Sequence, residues 1–518
     1  MDLLTLIALT IGLILLYVFK QNLSKKSIAP LPPGPPPKPL IGNLRDLPSP
    51  GQKDWEHWLK HKDAYGGISS LTILGQTIII LNDARIAFDL LEKRSNVYSS
   101  RPRMTFAGEM VGWEHILAMQ PYSETFRAYR KAMHRALGTK KVISQFDSLQ
   151  DLEVRRFLFR VLQRPRDLVQ HIRTETGAVI LKIAYGYTIA PHGKDPLVDL
   201  ANSALEQFSA AGTPGAWIVD TIPFLKYLPS WFPGAGFKKT AAAWRKTLLT
   251  TIEKPYQLVV KQMSEGKYQD SYLSNLLEEA KGRTPSAEEE QVIKWTAGSL
   301  YTGGADTTVS ALSCFFLAMA LHPEIQRKAQ AELNSVIGPT RLPAFSDRPN
   351  LPYIEALVKE TLRWHPVAPM GIPHMCTEDN IYEGHLIPRG ALILPNIWYL
   401  LSLSQSFFED EITNHISMVG EEAQPDPATL TFGFGRRVCP GKILADSTIF
   451  LTIAQALAVF EIRPAKGREG NVKAEFLPGV ISHPVPFGVD VKCRSERAEE
   501  LVRGVEVSFP WGEGDAVD

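Results

Sequence analysis

The stretch Phe432-Gly-Phe-Gly-Arg-Arg-Val-Cys-Pro-Gly441 decides the fold, and it lies just before an apolar run of helical periodicity that begins at Ile443. Glycines and a proline surround Cys439, so this loop can expose backbone N–H groups toward the sulfur. These donors, together with the dipole at the start of the following helix, favour the thiolate form of Cys439. A buried structural cysteine in a Gly-rich turn is the alternative interpretation.

A thiolate at Cys439 predicts a haem iron as its partner, because thiolate is one of the few axial ligands that haem iron accepts. The loop resembles the haem-binding signature of the cytochrome P-450 superfamily, which it matches position for position at Phe432, Gly435, Arg437, Cys439 and Gly441. The resemblance implies a mainly α fold with small β-sheets, haem b as the cofactor, and Cys439 as the axial ligand of the iron. It also implies that Phe432 and Gly435 bind the cofactor and that Arg437 meets a haem propionate.

A second motif, Gly303-Gly-Ala-Asp-Thr-Thr308, lies inside an apolar helical segment that runs from Gln291 to Leu321. Two adjacent glycines in a helix interior cost roughly 1 kcal/mol each relative to Ala, which indicates that something approaches this backbone closely. Asp306 could bring protons from solvent, and Thr307 could hold water or dioxygen by a hydrogen bond. A helix kink with an incidental polar cluster is the alternative. The resemblance places this segment over the haem face opposite the sulfur and implies that Asp306 and Thr307 are catalytic.

Further haem contacts are implied by similarity to other parts of the superfamily pattern. The segment 123–131 is similar to the helix that reaches the haem propionates, with Phe126 in place of the usual Trp. Phenylalanine can pack on the haem edge but cannot donate an indole hydrogen bond. Arg130 is the best propionate ligand in this segment, and Arg127 is a weaker candidate. His374 lies where the family often places another propionate contact, although a surface histidine is the alternative.

Glu360 and Arg363 lie three residues apart on a predicted helix, a spacing at which side chains meet. An ordinary surface ion pair is the usual interpretation of that spacing. In the superfamily the same pair is buried and locks the fold around the cysteine loop, so we assign it a structural role.

The segment 399–423 departs from the superfamily pattern. It has no Pro-x-Arg-Phe motif, and the chain has no Arg or Lys from Trp398 to Gly435. The family's Arg in that motif completes a triad with Glu360 and Arg363, and an incomplete buried charged network costs several kcal/mol. A misread exon boundary and a real lesion both explain the segment, and either would bear on haem retention and activity.

Composition excludes several classes of protein. The chain has 518 residues, of which 44% are hydrophobic and 21% charged, and a net charge of +1, which gives no reason to expect a nucleic-acid partner. The 4 cysteines, Cys314, Cys376, Cys439 and Cys493, are widely scattered, which argues against a zinc site and a secreted disulfide framework. The predicted setting is therefore reducing.

The N-terminal residues 1–20 are predicted to form a transmembrane anchor. Leu3 to Phe19 is almost wholly apolar and would span roughly 25 Å as a helix. Basic residues follow it, so the N-terminus would be lumenal and the catalytic domain cytosolic, in a single-pass protein of the endoplasmic reticulum membrane. A cleaved signal peptide is the alternative. Residues 21–39 are predicted as a basic and Pro-rich linker, 40–490 as one haem-thiolate domain, and 491–518 as a loose polar C-terminal tail.

Periodicity predicts several elements inside the domain. Leu71 to Leu81 predicts a hairpin around Gly75, and Ile381 to Leu394 predicts strands with a turn at 388–390. Besides 291–321, the strongest predicted helices are Ser123–Leu137, Pro323–Val336 and Tyr353–Trp364. The segments 106–113, 208–217 and 367–372 are predicted to line an apolar pocket.

The resemblance implies a monooxygenase that inserts one oxygen atom from O2 into an apolar small molecule. The segments 91–95, 217–237 and 482–487 are most similar to membrane-bound fungal members that oxidise secondary metabolites or aromatic xenobiotics. No flavin or nicotinamide motif is fused to the chain, so the expected electron donor is a separate NADPH–cytochrome reductase. A haem-thiolate isomerase or dehydratase, and a degenerate paralogue with impaired activity, are the alternatives.

Overall fold

The structure is a computed structural model that describes Gly12 and residues 28–49, 51–213, 215–281, 286–402, 426–467 and 472–515. The α-helices are α1 (Asp54–Tyr65), α2 (Ala84–Ala87), α3 (Ser95–Tyr98), α4 (Glu124–Leu137), α5 (Lys140–Ile143), α6 (Asp147–Gln163), α7 (Leu168–Tyr185), α8 (Pro196–Ala211), α9 (Ile218–Thr221), α10 (Gly236–Ser264), α11 (Tyr272–Glu279), α12 (Ala287–Ala305), α13 (Thr307–Leu321), α14 (Pro323–Val336), α15 (Pro352–Trp364), α16 (Ile397–Leu401), α17 (Ala428–Thr431), α18 (Lys442–Val459) and α19 (Glu496–Ser508). The strands are β1 (Ile68–Ile73), β2 (Gln76–Leu81), β3 (His374–Met375), β4 (Asn380–Tyr382), β5 (His385–Ile387), β6 (Leu392–Pro395), β7 (Phe460–Pro464) and β8 (Val489–Cys493). The mainly α fold with small sheets is thus confirmed for the described residues.

The largest β-sheet grows from the predicted hairpin and has the strand order β1-β2-β6-β3. β1 and β2 pair antiparallel, and the turn between them has positive φ at Leu74 (47°) and Gly75 (89°). Turns of this kind follow the right-handed twist of the strands that they join. β6 lies parallel to β2 and antiparallel to β3, after the predicted turn at 388–390. β4 pairs with β5 and β7 with β8 in two smaller sheets.

The helices α4, α14 and α15 confirm the predicted helices to within one residue at each end. α4 begins after Ser123, whose side-chain oxygen accepts a hydrogen bond from the Phe126 N–H at 3.2 Å. α14 begins at Pro323, because the fixed φ of proline suits the first helical position, where no N–H partner is needed.

The segment predicted as one helix from Gln291 to Leu321 is instead two helices, α12 and α13, with a break at Asp306 (φ −127°, ψ −26°). Gly303 and Gly304 weaken the helix just before the break. The Thr307 hydroxyl donates to the Gly303 carbonyl at 2.8 Å, a local bond that bends helices. The break therefore falls at the motif that the sequence singles out.

Two helical stretches of the described residues, Ala287–Leu321 and Lys442–Val459, are long and apolar enough to cross a membrane. Their most apolar windows are 78% and 67% buried inside the protein, as expected of core helices, so they are weak evidence of a membrane span. Except for Gly12, the predicted anchor at 1–20 lies outside the described residues, as does the atypical segment 399–423 beyond Ser402.

Residues 491–518 were expected to form a loose polar tail, and for most of this segment that prediction is wrong. β8 pairs with β7, and α19 then packs on α6 and α18. α19 buries Ala498, Val502 and Val505, which are spaced to lie on one helix face. Charged residues cover the other face, and they hide this short apolar stripe in the sequence.

Candidate functional site

The Cys439 loop is fixed by its own backbone before α18 begins. Gly435–Arg437 forms a 3₁₀ turn, and the Cys439 N–H donates to the Phe432 carbonyl at 2.8 Å. Gly435 has φ +49°, and a Cβ there would lie 2.8 Å from the Leu91 carbonyl oxygen. Gly435 thus serves the turn and does not line the cavity that Phe432 and Cys439 line, contrary to the expectation of a cofactor contact.

The Cys439 side chain faces a cavity of about 360 Å³. Protein atoms surround the thiol elsewhere, and this burial raises the pKa of the Cys439 thiol. The N–H groups of Gly441 and Lys442 donate to the sulfur and, with the Arg130 cation, oppose that rise without cancelling it. The amide donors expected from the sequence are therefore present, and a bound metal ion would favour the thiolate further.

The cavity lies between the loop Phe432–Gly441, here called the sulfur wall, and the segment Thr302–Thr308, here called the helix wall. Its lining is mostly apolar, and the described residues contribute no aspartate or glutamate to it. The three segments predicted to line a pocket all contribute, for example through Trp113, Phe208 and Val367. The Trp113 and Phe208 rings lie 4.6 Å apart between centroids and form an aromatic surface.

Two predicted propionate ligands, Arg437 and Arg130, line the cavity. Arg437 donates to the carbonyls of Ser99 (2.5 Å) and Gln120 (2.7 Å), and Arg130 donates to that of Val438 at 2.7 Å. Burial, with the nearby Arg130 cation, lowers the pKa of Arg437 to about 9. Both guanidinium groups are therefore held by neutral carbonyls, which leaves their charge without a described carboxylate partner in the cavity.

Arg101 is a third cation that lines the cavity, is itself buried, and was not predicted from the sequence. Its guanidinium donates to the carbonyls of Ala118, Ile372 and Pro373 at 2.7–3.0 Å. Burial, with the Arg437 cation, lowers the pKa of Arg101 well below its ordinary value. A single Ser-Arg-Pro in a loop carries no sequence signal for this role, because the burial of Arg101 depends on the fold.

His374 also lines the cavity and is buried, so the surface interpretation is wrong. Its Nδ1 lies 2.7 Å from the Tyr98 carbonyl oxygen. Burial first, and then the neighbouring arginines, lower the pKa of His374 well below its ordinary value, so the ring is neutral. Because a carbonyl oxygen only accepts, the single proton of the neutral ring lies on Nδ1. Donation to an anion through Nε2 would need a second proton on the ring.

Arg127, the weaker candidate, does not line the cavity. Its side chain is 57% exposed and pairs with Glu124 at 3.0 Å. Phe126 and Arg130 are four residues apart on α4 and share the face toward the cavity, whereas Arg127 is turned by about a quarter of the helix. Helical phase therefore separates the two arginines.

The residues of the cavity fit a haem. Cys439 offers a soft sulfur donor, and three cavity-lining arginines, with no aspartate or glutamate among the described lining residues, suit the anionic groups of such a cofactor. On the helix wall, a Cβ added to Gly303 would meet nothing within 4 Å, so the backbone is open to a flat group there. A flat apolar ring with a thiolate-bound metal and anionic edges matches this combination.

Asp306 and Thr307 occupy two different positions relative to the cavity. Thr307 lines it, whereas Asp306 is buried and does not. The Asp306 Oδ2 lies 2.9 Å from His483 Nε2, and Oδ1 is buried without a hydrogen-bond partner among the described residues. The sequence indicated the pair of adjacent residues but not His483, which comes from the segment between β7 and β8.

Glu360 and Arg363 form a buried ion pair, so the surface interpretation is wrong. Arg363 donates to both carboxylate oxygens of Glu360, at 2.6 and 2.7 Å, and to the Leu401 carbonyl at 3.2 Å. Their helix α15 packs against α17 and α18, which flank the cysteine loop. The pair thus supports the sulfur wall, as the superfamily resemblance implied.

Comparison with known proteins agrees with this site. Residues 32–491 match the family model described as Cytochrome P450. The chain is 47% identical to Cytochrome P450 monooxygenase ppsD of Aspergillus oryzae, over 95% of this chain and 94% of that protein. It is 46% identical to Cytochrome P450 monooxygenase claR of Ampulloclitocybe clavipes (96% and 93%), and 44% identical to O-methylsterigmatocystin oxidoreductase of Aspergillus flavus (97% and 95%). The thiol, the cationic cavity and the matches over nearly the whole length agree, and the chain belongs to the cytochrome P450 family as a P450-type monooxygenase.

Proposed function

We propose that this enzyme inserts one oxygen atom from O2 into an apolar small molecule, a fungal secondary metabolite or an aromatic xenobiotic. The observation that carries the proposal is the largely apolar cavity that joins Cys439 on one wall to Thr307 on the other. The aromatic pair Trp113 and Phe208 favours a flat apolar substrate. One relative is named for acting on O-methylsterigmatocystin, which also supports a secondary metabolite.

Haem b, bound through its iron to the Cys439 thiolate, would supply oxygen activation, because thiolate donates electron density that favours O–O cleavage. Arg437 and Arg130 would bind its propionates, as would His374 with a second proton on its ring, and Arg101 adds a further cation to this set. Phe432 would pack against the ring on the sulfur side.

Asp306 and Thr307 would manage protons at the helix wall. The Thr307 hydroxyl lines the cavity and, with its own proton donated to the Gly303 carbonyl, can accept a hydrogen bond from a water molecule. It could bind dioxygen once that local bond is released. Asp306, directly before it in the chain, would bring protons to that hydroxyl from outside the cavity. An oxygen-activating enzyme needs such a supply, whereas an isomerase or dehydratase of peroxides does not, so these residues favour the monooxygenase.

Electrons would come from a separate NADPH–cytochrome reductase. Arg436 is exposed beside the cysteine loop, and Lys442 follows the loop directly. A weakly basic surface of this kind can guide an acidic partner, although its contribution depends on ionic strength.

The proposed location is the endoplasmic reticulum membrane, with residues 1–20 as a single-pass anchor, 21–39 as a linker and 40–490 as the cytosolic catalytic domain. Exposed apolar side chains on the segment 218–231 support membrane association, and they are Ile218, Phe224, Tyr227 and Trp231.

The test is turnover of the full-length chain in reductase-containing microsomes under isotopically heavy dioxygen. Candidate substrates are first selected as apolar compounds that perturb the haem spectrum. We expect product that carries one heavy oxygen atom and depends on NADPH. Conversion of a hydroperoxide without O2 or reductase would support the isomerase or dehydratase, and a chain that binds no haem would support the degenerate paralogue.

A further inference from the structure

His483 forms a contact with Asp306 that the sequence motif does not contain. The His483 Nε2 lies 2.9 Å from Asp306 Oδ2, between two segments that are 177 residues apart. The His483 side chain is 21% exposed and that of Asp306 11%. The pair thus connects a partly exposed ring to a nearly buried carboxylate.

The pair is joined to the cavity lining through the chain, because Asp306 directly precedes Thr307. Neither His483 nor Asp306 lines the cavity, whereas Thr307 does. The second carboxylate oxygen, Asp306 Oδ1, is buried and has no hydrogen-bond partner among the residues that the structure describes. Asp306 therefore has one oxygen bound to His483 and one oxygen left for a group beyond it.

The backbone that carries His483 is fixed by its neighbours. The Ser482 N–H donates to the Val367 carbonyl at 2.9 Å, and the Ser310 hydroxyl donates to the Ser482 carbonyl at 2.5 Å. The Ser482 hydroxyl also lies 2.8 Å from His365 Nε2, and burial lowers the pKa of His365 to about 3, so that ring is neutral. These contacts hold the imidazole beside Asp306 instead of leaving it as a mobile surface side chain.

We propose that His483 is the outer proton carrier of this enzyme, which supplies Asp306 with protons from solvent. The ring takes up a proton at Nδ1 and gives the proton on Nε2 to Asp306 Oδ2, and the carboxylic acid then passes a proton toward the group held at Thr307. One proton enters and one leaves, no electron moves, and the ring regains its first tautomer by exchange with solvent. Imidazole suits this role because one ring nitrogen can accept a proton while the other donates one. The inference rests on the proposed function, in which Asp306 and Thr307 provide protons for oxygen activation.

The test compares His483→Gln with His483→Phe in the full-length enzyme with reductase and NADPH. Glutamine keeps an N–H donor for Asp306 but cannot carry a proton as imidazole does, whereas phenylalanine loses both properties. We expect both variants to lose O2-dependent turnover to a similar extent, on the order of a hundredfold, while substrate binding by difference spectrum is unchanged. His322→Gln is the matched control, because His322 lies 3.3 Å from Glu324 in a similar pair remote from the cavity.

A second assay separates this inference from the proposed function. Hydrogen peroxide already contains the two electrons and two protons that O2 must acquire, so peroxide-supported turnover should survive in both His483 variants. If His483→Gln kept the wild-type rate of O2-dependent turnover while His483→Phe lost it, His483 would only position Asp306. The proton-carrier role would then be overturned. If His483→Phe also left O2-dependent turnover unchanged, the His483–Asp306 pair would have no role in proton delivery, and the proposal would be overturned. A wild-type chain without any O2-dependent product would overturn the proposed function itself, and the inference with it.

Discussion

The two walls of the cavity differ in how far apart in the chain their interacting groups lie. On the sulfur wall, Cys439 receives hydrogen bonds from Gly441 and Lys442, which lie two and three residues after it. On the helix wall, Asp306 pairs with His483, which is 177 residues away. A local motif can set the environment of the sulfur, whereas the environment of the carboxylate exists only once the whole domain has folded.

This difference predicts which property of the enzyme is lost when each wall is mutated. The sulfur wall should depend on the supports that hold its loop in place, and the helix wall on individual side chains that meet across the fold. Substitutions on the two walls should therefore separate haem retention from oxygen chemistry.

The largest effect is expected when the support of the sulfur wall is broken by Glu360→Ala. The substitution leaves the buried Arg363 guanidinium without this carboxylate, which costs about 3–5 kcal/mol of folding free energy. Chemical unfolding of the purified chain measures the loss. The control is Glu500→Ala, which removes an exposed pair of the same spacing, Arg497–Glu500, and should cost about 1 kcal/mol or less. Equal losses in the two variants would mean that the buried pair does not support the fold.

The next effect concerns the helix wall, through Thr307→Ala. Loss of the hydroxyl should lower O2-dependent product formation by about a hundredfold, with haem content unchanged, because proton delivery is affected and ligation is not. Product yield per NADPH consumed measures it. The matched control is Thr296→Ala. Thr296 is on α12 and does not line the cavity, and its hydroxyl donates to the Val292 carbonyl at 2.6 Å, as that of Thr307 does to Gly303. A similar loss in both variants would point to helix geometry instead of chemistry.

A smaller effect on haem retention separates Arg130 from Arg127. Arg130→Ala removes a cavity-lining cation, and a charge-assisted hydrogen bond is worth about 1.5–3 kcal/mol, so haem should leave at least about tenfold faster. Transfer of haem to an acceptor apoprotein measures the rate. Arg127→Ala, at an exposed position, should leave it unchanged. Faster haem loss in Arg127→Ala would restore this residue as a cofactor ligand.

The effect that is smallest at neutral pH, and grows only in acid, is a pH dependence of the free energy of unfolding at His365. Burial lowers the pKa of His365 to about 3, so the folded protein keeps the ring neutral at a pH where the unfolded chain protonates it. Its contribution to stability is complete above about pH 6.5 and is lost as pH falls toward 3, at about 1.4 kcal/mol per pH unit. Comparison of unfolding curves for wild type and His365→Gln isolates this term. Parallel curves across that range would contradict it.

The same contrast explains what the sequence could predict. The Cys439 loop and the hairpin at 68–81 are formed by residues close together in the chain, and the sequence predicted them. The spacing of Glu360 and Arg363 predicted their contact, but only the superfamily resemblance implied that the pair is buried. Arg101 and His483 acquire their roles from distant segments, and neither has a local pattern that indicates one. Their identification required the fold.

Two of the sequence predictions did not take helix geometry into account. Arg127 was placed with the haem ligands because it is close to Arg130 in sequence, but a helix turns by about 100° per residue and directs it outward. The C-terminal segment was expected to be loose because charged residues dominate it, but three apolar residues on one face of α19 suffice to dock it. In both cases the contacts of a residue follow from its position around the helix, and neither proximity in sequence nor composition predicts them.

The central claim is that Cys439 binds a haem iron as its thiolate ligand in this chain, whose segment 399–423 departs from the family pattern. The most direct measurement is the carbon monoxide difference spectrum of the reduced, full-length protein beside Cys439→Ser. We predict the thiolate carbonyl band in the wild type and its loss in the variant, because a serine hydroxyl is not a soft anionic ligand. A wild type without that band, or a serine variant that keeps it, would contradict the assignment.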